Sequence, residues 1–452
     1  MTKLKVILIL VACLSGVSTV WAQVSLTKGG SGADEFELVK SGKAAKLYYD
    51  IRDFEVIKKS AHLFSNDVRL VTDREIAVSE AVEEMSSNCI IVGTLGHNEL
   101  IDKLILKKKL DVSTLKDKWE SFHIEVVRNP FPGVKKALVV VGSDRRGTAY
   151  GLFSISESIG VSPWYWWADA PVAKRKELCL KVQKMTSEEP TVKYRGIFIN
   201  DEDWGLLRWA KTNFEKERGN IGPKTYAKVC ELLLRLKANY LCPAMHEAST
   251  AFNKIPENKL VADSFAIVMG SVHCEPLLFN NASEWDKKTM GDWDYVNNKE
   301  MLDRVLRQRV VDNSPYENVY TLALRGLHDK AMGGSSDMKE RVKLLGDALN
   351  AQRQLLVDVI KKPANEIPQA FTPYKEVLDV YNAGLELPDD VTIIWPDDNY
   401  GYMKRLSSPR EQKRSGRAGV YYHVSYLGKP HDYLWMSTIS PASVSYTHLT
   451  LP

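Results

Sequence analysis

Two stretches decide how this chain reads: YRGIFIN (194–200) and, after a polar loop, KTYAKVCELLLRLKANYLCPAMHE (224–247). The second runs from an amphipathic helix over 224–239 straight into an apolar strand over 239–245,. Strand, loop, helix and strand in that order form a parallel βα unit. The pattern recurs downstream. Apolar runs at SFAIVMG (264–270), NVYTLALRG (318–326), IPQAFTP (367–373), VTIIWPDD (391–398) and GVYYHVSY (419–426) bring the predicted strands to seven, and MKERVKLLGDALNAQRQLLVDVIKK (338–362) is the longest helix between them. Seven such units over 191–440 predict an α/β fold, a (β/α)8 TIM-type barrel that stops before its last unit,. PASVSYTHLTLP (441–452) completes no strand or helix and reads as a non-native tail,.

Upstream, residues 23–190 read as a separate N-terminal α/β domain. Short β-like runs at CIIVGT (89–94), FHIEVV (122–127) and ALVVVG (137–142) alternate with charged helical stretches, and GSDRRGTAYGLFSISESIG (142–160) opens with a turn and continues as a helix,. That turn has neither GxGxxG nor GxxxxGK[ST], so it is not read as a phosphate loop. PWYWWADAPV (163–172) packs three tryptophans and a tyrosine into four residues. It suits either the apolar faces of sugar rings or a plug between domains. Residues 1–22 carry Lys3 and Lys5, an apolar run and a small-residue ending at Ala22, the signature of an export signal, so the mature protein is expected outside the cytoplasm, secreted or periplasmic,. The rival reading of Leu10–Cys13 as a lipid-attachment box is disfavoured by the short stretch before Cys13,.

Composition removes several classes. With 452 residues, 44% hydrophobic and 26% charged, the chain is neither disordered nor fibrous,. Lys+Arg 61 against Asp+Glu 57 leaves no basic field for nucleic acid,. No later stretch approaches the ~18 apolar residues of a membrane span. Five scattered cysteines after the signal, without a CxxC pair, argue against a disulfide framework, structural zinc or thiol redox chemistry,.

In a parallel barrel the active site lies at the carboxyl ends of the strands. Here every predicted strand ends in polar residues: Asp201, Glu202 and Asp203; His246 and Glu247; His273 and Glu275; Arg325 and His328; Tyr374 and Glu376; Asp397, Asp398 and Asn399; His423 and Tyr426. Any one of these could cap a helix or sit in solvent; their convergence on one rim points to catalysis. Carboxylates dominate, and glycoside hydrolysis needs two of them flanking the scissile bond. Arg325 has the fork geometry for a carboxylate, either that of an acidic sugar or that of a neighbouring rim residue. A metal-dependent hydrolase using His246, His273 and His423 is the rival enzyme class; no HExxH or HxH spacing supports it, and no metal or other cofactor is expected. The non-enzymatic rival is a carbohydrate-binding protein that uses the Trp164–Trp167 surface.

The motifs RGIFINDEDWG (195–205), NYLCPAMHEAST (239–250), IVMGSVHCEPLLFNN (267–281), WPDDNYGYMKRL (395–406) and YYHVSYLGKPHDYLWM (421–436) resemble glycoside hydrolase family 115, and 142–172 resembles its N-terminal domain. The resemblance runs to about residue 441. It implies a xylan α-1,2-glucuronidase that removes (4-O-methyl-)glucuronic acid from glucuronoxylan or its oligosaccharides with inversion, and a homodimer as the assembly of the full-length enzyme. Carried over by position, it implies Glu376 and Asp397 as the acid/base pair, with Asp201, Asp203, His273, Arg325, Asn399, His423 and Tyr426 holding the uronic acid. Cys242 stands where a tryptophan is expected. Family members continue beyond the barrel, so the chain resembles the N-terminal portion of a longer enzyme.

Overall fold

The computed structural model describes residues 24–29, 32–80, 85–200 and 202–424. The expected export signal with Cys13, the tail over 441–452, and the site candidates Asp201 and Tyr426 lie outside the described residues. The chain divides into two compact units that meet at Glu189 and Pro190.

The first unit holds two sheets. A four-stranded antiparallel sheet has β1 (Val24–Thr27), β9 (Leu178–Val182), β2 (Glu35–Lys40) and β3 (Lys43–Ala44) in that spatial order. A six-stranded mixed sheet runs β10 (Met185–Thr186), β7 (Phe122–Arg128), β8 (Lys136–Gly142), β6 (Asn88–Thr94), β4 (Lys46–Tyr48), β5 (Val78–Ser79). Within it β4, β5, β6 and β8 are mutually parallel, and β7 returns antiparallel beside β8. The central strands are apolar on both faces because helices cover them: Ile90, Ile91, Val92, Leu138, Val139 and Val140 are all fully buried,. Helix α1 (Glu55–Thr72) turns Val56, Ile57, Ala61, Phe64, Val68 and Val71 inward at helical spacing, and it packs on α3 (Arg145–Ser158),. Between them in sequence lies α2 (Glu99–Leu106), with Asn98 capping its first turn,. The turn at 142–144 is likewise a helix start, with the Asp144 carboxylate accepting the N–H groups of Arg146 and Gly147.

The second unit is a βα repeat. Strands β11 (Gly196–Phe198), β12 (Tyr240–Cys242) and β13 (Val268–Met269) are parallel and paired in chain order, as are β14 (Tyr320–Thr321), β15 (Gln369–Phe371), β16 (Thr392–Pro396) and β17 (Ala418–Tyr421). A parallel bridge from Met269 to Asn318 joins the two groups, giving seven consecutive parallel strands among the described residues. The sheet curls: the ring of Phe198 on β11 meets that of Tyr421 on β17 with centroids 5.8 Å apart. Inside the curl, Val268, Val319 and Ala370 pack against Tyr194, Tyr240 and Ile394. This arrangement is compatible with seven strands of a (β/α)8 barrel. Helices α4 (Pro223–Arg235), α5 (Pro256–Ser264), α6 (Lys299–Asn313), α7 (Met338–Ile360) and α8 (Glu376–Asn382) fall between successive strands. Among these, α6 and α7 bury Leu302, Leu306, Val310, Leu345, Leu349 and Leu356 in one apolar cluster.

Local chemistry fixes the helix starts. Asp337 accepts the Glu340 N–H at the head of α7. Helix α4 begins Gly222-Pro223, with no capping side chain of its own, and a buried carboxylate from outside the helix substitutes. Glu215 accepts the N–H groups of Gly222 (2.8 Å) and Thr225 (2.9 Å) and the Thr225 hydroxyl (2.5 Å),.

Close strand contact constrains Gly196. A Cβ there would stand 1.8 Å from the Tyr240 carbonyl oxygen, so β11 and β12 pair only because that position has no side chain,. Gly196→Ala is expected to destabilise the second unit by about 1–3 kcal/mol, read as a lower urea midpoint at unchanged slope.

Candidate active site

The carboxyl ends of β14 and β15 build a charged cluster around Arg325. Its side chain is 2% exposed, and a guanidinium does not give up its proton, so its partners must come to it. Glu376, the first residue of α8, takes the fork with both oxygens: Nε donates to Oε1 at 3.1 Å and Nη2 to Oε2 at 2.9 Å,. The Met332 N–H also donates to Oε1, at 3.0 Å. Asp329 pairs with Arg325 on another side, accepts Lys375 Nζ at 3.1 Å, and shares a 2.8 Å hydrogen bond with His273 Nε2. The Tyr374 ring lies 5.6 Å from the guanidinium carbon and 4.9 Å from Lys375 Nζ,. Backbone shape delivers these groups. His328 and Asp329 both have positive φ (55° and 63°), as does Lys375 (50°), a conformation disfavoured for residues other than glycine and held here by the ion pairs,.

The ends of β16 and β17 build a second cluster. Asp397 is 3% exposed; its carboxylate accepts the backbone N–H groups of Asn399 and His423, both at 3.1 Å, and its Oδ1 pairs with His423 Nδ1. Tyr374 ties the clusters together: its hydroxyl donates to Asn399 Oδ1 at 3.0 Å, and its ring lies 4.1 Å from His273 and 6.1 Å from His423. Glu376, Arg325, His273, Asn399, Asp397 and His423 are thus gathered into one constellation. Asp203 stands elsewhere, by the loop after β12, 3.9 Å from His246 Nδ1. In the ligand-free molecule the partners of Arg325 are rim carboxylates, the alternative that its fork geometry left open.

Electrostatics sorts the ionisable groups. Burial pushes the Glu376 carboxyl up, but the Arg325 fork and the Met332 N–H more than reverse this, so it lies below its ordinary value and stays ionised,. Burial, with Arg325 next, holds His273 well below the usual histidine range; it is neutral, and its Nδ1 has no partner among the described residues. Burial and Arg325 also lower Lys375. Carboxylates on the β11–β13 side go the other way. Glu202 is fully buried and raised by desolvation although its Oε1 accepts the N–H groups of Met245 and His246 at 2.7 and 2.6 Å. Glu275 is pushed up to about 8 by burial, reinforced by Glu284 and Glu202 and opposed by Arg309; with Glu284 it lines a cavity about the size of one water molecule,.

His273, Cys274 and Asp329 could together reach a metal ion. Their surroundings oppose one: Asp329 already faces Arg325 and Lys375, and burial pushes the Cys274 thiol up, which disfavours the thiolate that binds metal,. All five described cysteines are buried and free, as their scatter in the sequence predicts.

The sequence reading named neither Asp329 nor Lys375. Asp329 follows His328, which was singled out, and Lys375 sits between Tyr374 and Glu376. Left-handed backbone does not set them apart, since His328 and Asn399 share it; what places Asp329 and Lys375 in the cluster is their ion pair with each other and that of Asp329 with Arg325, which residue spacing does not show.

Three comparisons relate the chain to known proteins. The model for glycosyl hydrolase family 115 matches residues 187–450. BtGH115A, described as a family GH115 4-O-methyl-α-glucuronidase with specificity for decorated arabinogalactans, is 40% identical with a TM-score of 0.81 over 91% of this chain; the chain spans 53% of that structure's length. A Streptomyces plicatus N-acetyl-β-hexosaminidase aligns at 9% identity and a TM-score of 0.49 over 88% of this chain and 72% of its own. A search of curated proteins found no match.

Glu275 gives a pH signature. Its carboxyl binds a proton in the folded state up to about 8 and in the unfolded chain only to about 4.5, so its contribution to stability is full below 4.5 and is lost as pH rises through 8,. Between pH 5 and 9 the wild type should lose on the order of 2–4 kcal/mol relative to Glu275→Gln, measured as the difference in unfolding free energy at each pH.

Proposed function

The chain belongs to glycosyl hydrolase family 115, and from that premise we propose that it removes α-1,2-linked (4-O-methyl-)glucuronic acid side groups from glucuronoxylan by an inverting mechanism. The observation that carries this reading is a buried guanidinium, Arg325, forked by the carboxylate Glu376 and joined through Tyr374 and Asn399 to the cluster that holds a second carboxylate, Asp397.

In this reading Arg325 and Lys375 supply the positive charge that a uronic acid carboxylate needs. The incoming carboxylate competes with Glu376 for the Arg325 fork, and a Glu376 relieved of that fork is a better proton acceptor. Held ionised, Glu376 suits activation of water; Asp397 is the other member of the pair and must take up a proton before it can give one to the leaving oxygen, and an inverting pair leaves ~6.5–9.5 Å for that water. Neutral His273 offers its unpartnered Nδ1 as a hydrogen-bond acceptor for a sugar hydroxyl,. Asn399 adds a sugar contact, and the resemblance to family 115 adds Asp201, Asp203 and Tyr426 to the same role. A second reading, decorated arabinogalactan as the substrate, is favoured by the 40% identity to BtGH115A.

The experiment is release of uronic acid from glucuronoxylan and from decorated arabinogalactan by the protein at its full natural length, with the product anomer followed by NMR. Release of the inverted sugar is expected, with kcat lowered about 10²–10⁴-fold in Glu376→Ala and Asp397→Ala. Release from arabinogalactan alone would move the substrate to the second reading; no release from either polymer by folded protein would sink the glucuronidase assignment.

A further inference from the structure

Exposed aromatic rings in the second unit are confined to the face that carries the candidate site. Trp204, Tyr400 and Tyr402 are 45%, 53% and 70% exposed, and no other aromatic residue described in that unit is exposed. Trp204 lies on the loop that leaves β11, beside Asp203; the two tyrosines lie on the loop that leaves β16, immediately after Asp397 and Asn399. The tyrosine loop borders the Asp397–His423 cluster directly, and the meeting of the Phe198 and Tyr421 rings sets β11, whose loop carries Trp204, beside β17 at the same strand ends. Among the described residues none of these three rings stacks on another ring, and neither their hydroxyls nor the indole N–H has a hydrogen-bond partner.

The tyrosine loop is held in shape. Asp398 Oδ1 accepts the N–H groups of Tyr400 and Tyr402 at 3.0 and 3.1 Å, the Asp398 N–H donates to the Tyr402 carbonyl at 3.0 Å, and the Tyr422 hydroxyl donates to the Gly401 carbonyl at 3.0 Å. Gly401, at φ 86°, allows the tight turn,. Rings fixed in water beside a site have lost the entropy of ordering without gaining burial, and they offer flat apolar faces with polar edges.

We propose that Trp204, Tyr400 and Tyr402 form an aromatic platform that stacks the neutral pyranose rings of the glycan carrying the uronic acid, outside the charged pocket. The proposal rests on the glycosidase reading of the site and extends it from the group removed to the chain it is removed from. A platform of ring faces holds the backbone without reading its individual hydroxyls, so polymer recognition and uronic acid recognition reside in different residues.

The test is calorimetric binding to the protein at its full natural length, as wild type, Trp204→Ala and Tyr402→Ala. Three ligands are used: free glucuronic acid, a neutral xylo-oligosaccharide, and the same oligosaccharide bearing one glucuronosyl branch. Each substitution is expected to weaken the branched oligosaccharide about tenfold and to leave free glucuronic acid within twofold. Unchanged binding of the oligosaccharide, or an equal loss for both ligands, would overturn the platform. A fall in melting temperature of the ligand-free variants would assign the rings to packing and overturn it as well. If the wild type binds the neutral oligosaccharide but no uronic acid, and the variants lose that binding, the platform stands while the glucuronidase reading falls.

Discussion

The buried charge on Arg325 is the constraint around which the site is arranged. A guanidinium shut away from water is costly unless every face is met by an anion, an acceptor or a ring. Glu376, Asp329 and Tyr374 meet it here, and each needs special placement. Glu376 must open a helix, Asp329 must sit in a left-handed turn, and Lys375 must twist out of the way so that its own charge faces Asp329 from the far side. Even the Arg325 carbonyl is engaged, by the Trp293 indole N–H at 2.8 Å. Burial first, and the Arg325 charge second, keep His273 neutral,.

The carboxylates consequently fall into two populations. Those beside cations are driven toward ionisation, and Glu376 is the example; those buried on the β11–β13 side, Glu202, Glu275 and Glu284, are driven toward the protonated form. Glu284 has Arg309 for company, while Glu202 has a side-chain oxygen without any partner among the described residues. The split comes from surroundings rather than residue type: the Arg325 fork lowers Glu376, while burial raises Glu202, Glu275 and Glu284, the last in spite of Arg309,.

How much of this could be read in advance depends on which physical rule was being read. The βα alternation was legible because helical and strand periodicities differ, and the carboxyl-end rule then selected Glu376, Asp397, Arg325, His273, Asn399 and His423, which the fold gathers. Strand extents were less legible. SFAIVMG reads as one apolar strand, yet Ser264 ends α5, Ala266 makes a left-handed turn at φ 55°, and only Val268–Met269 joins the sheet. A buried helix end and a buried strand are equally apolar, so hydrophobicity does not separate them. Asp329 and Lys375 were not legible because what puts them in the site is a set of ion pairs that pattern does not show.

The contact between the rings of Phe198 and Tyr421 bears on how such a molecule comes into being. During synthesis the first strand of the second unit emerges long before the seventh, and the surface that will receive Tyr421 must wait without its partner. Closure of the curl is a contact of very high sequence separation, the kind that slows folding because loop entropy is lost before any packing is gained. The constellation around Arg325 and Asp397 draws on β13 through β17, so it does not exist in any shorter nascent chain. It therefore assembles late and all at once.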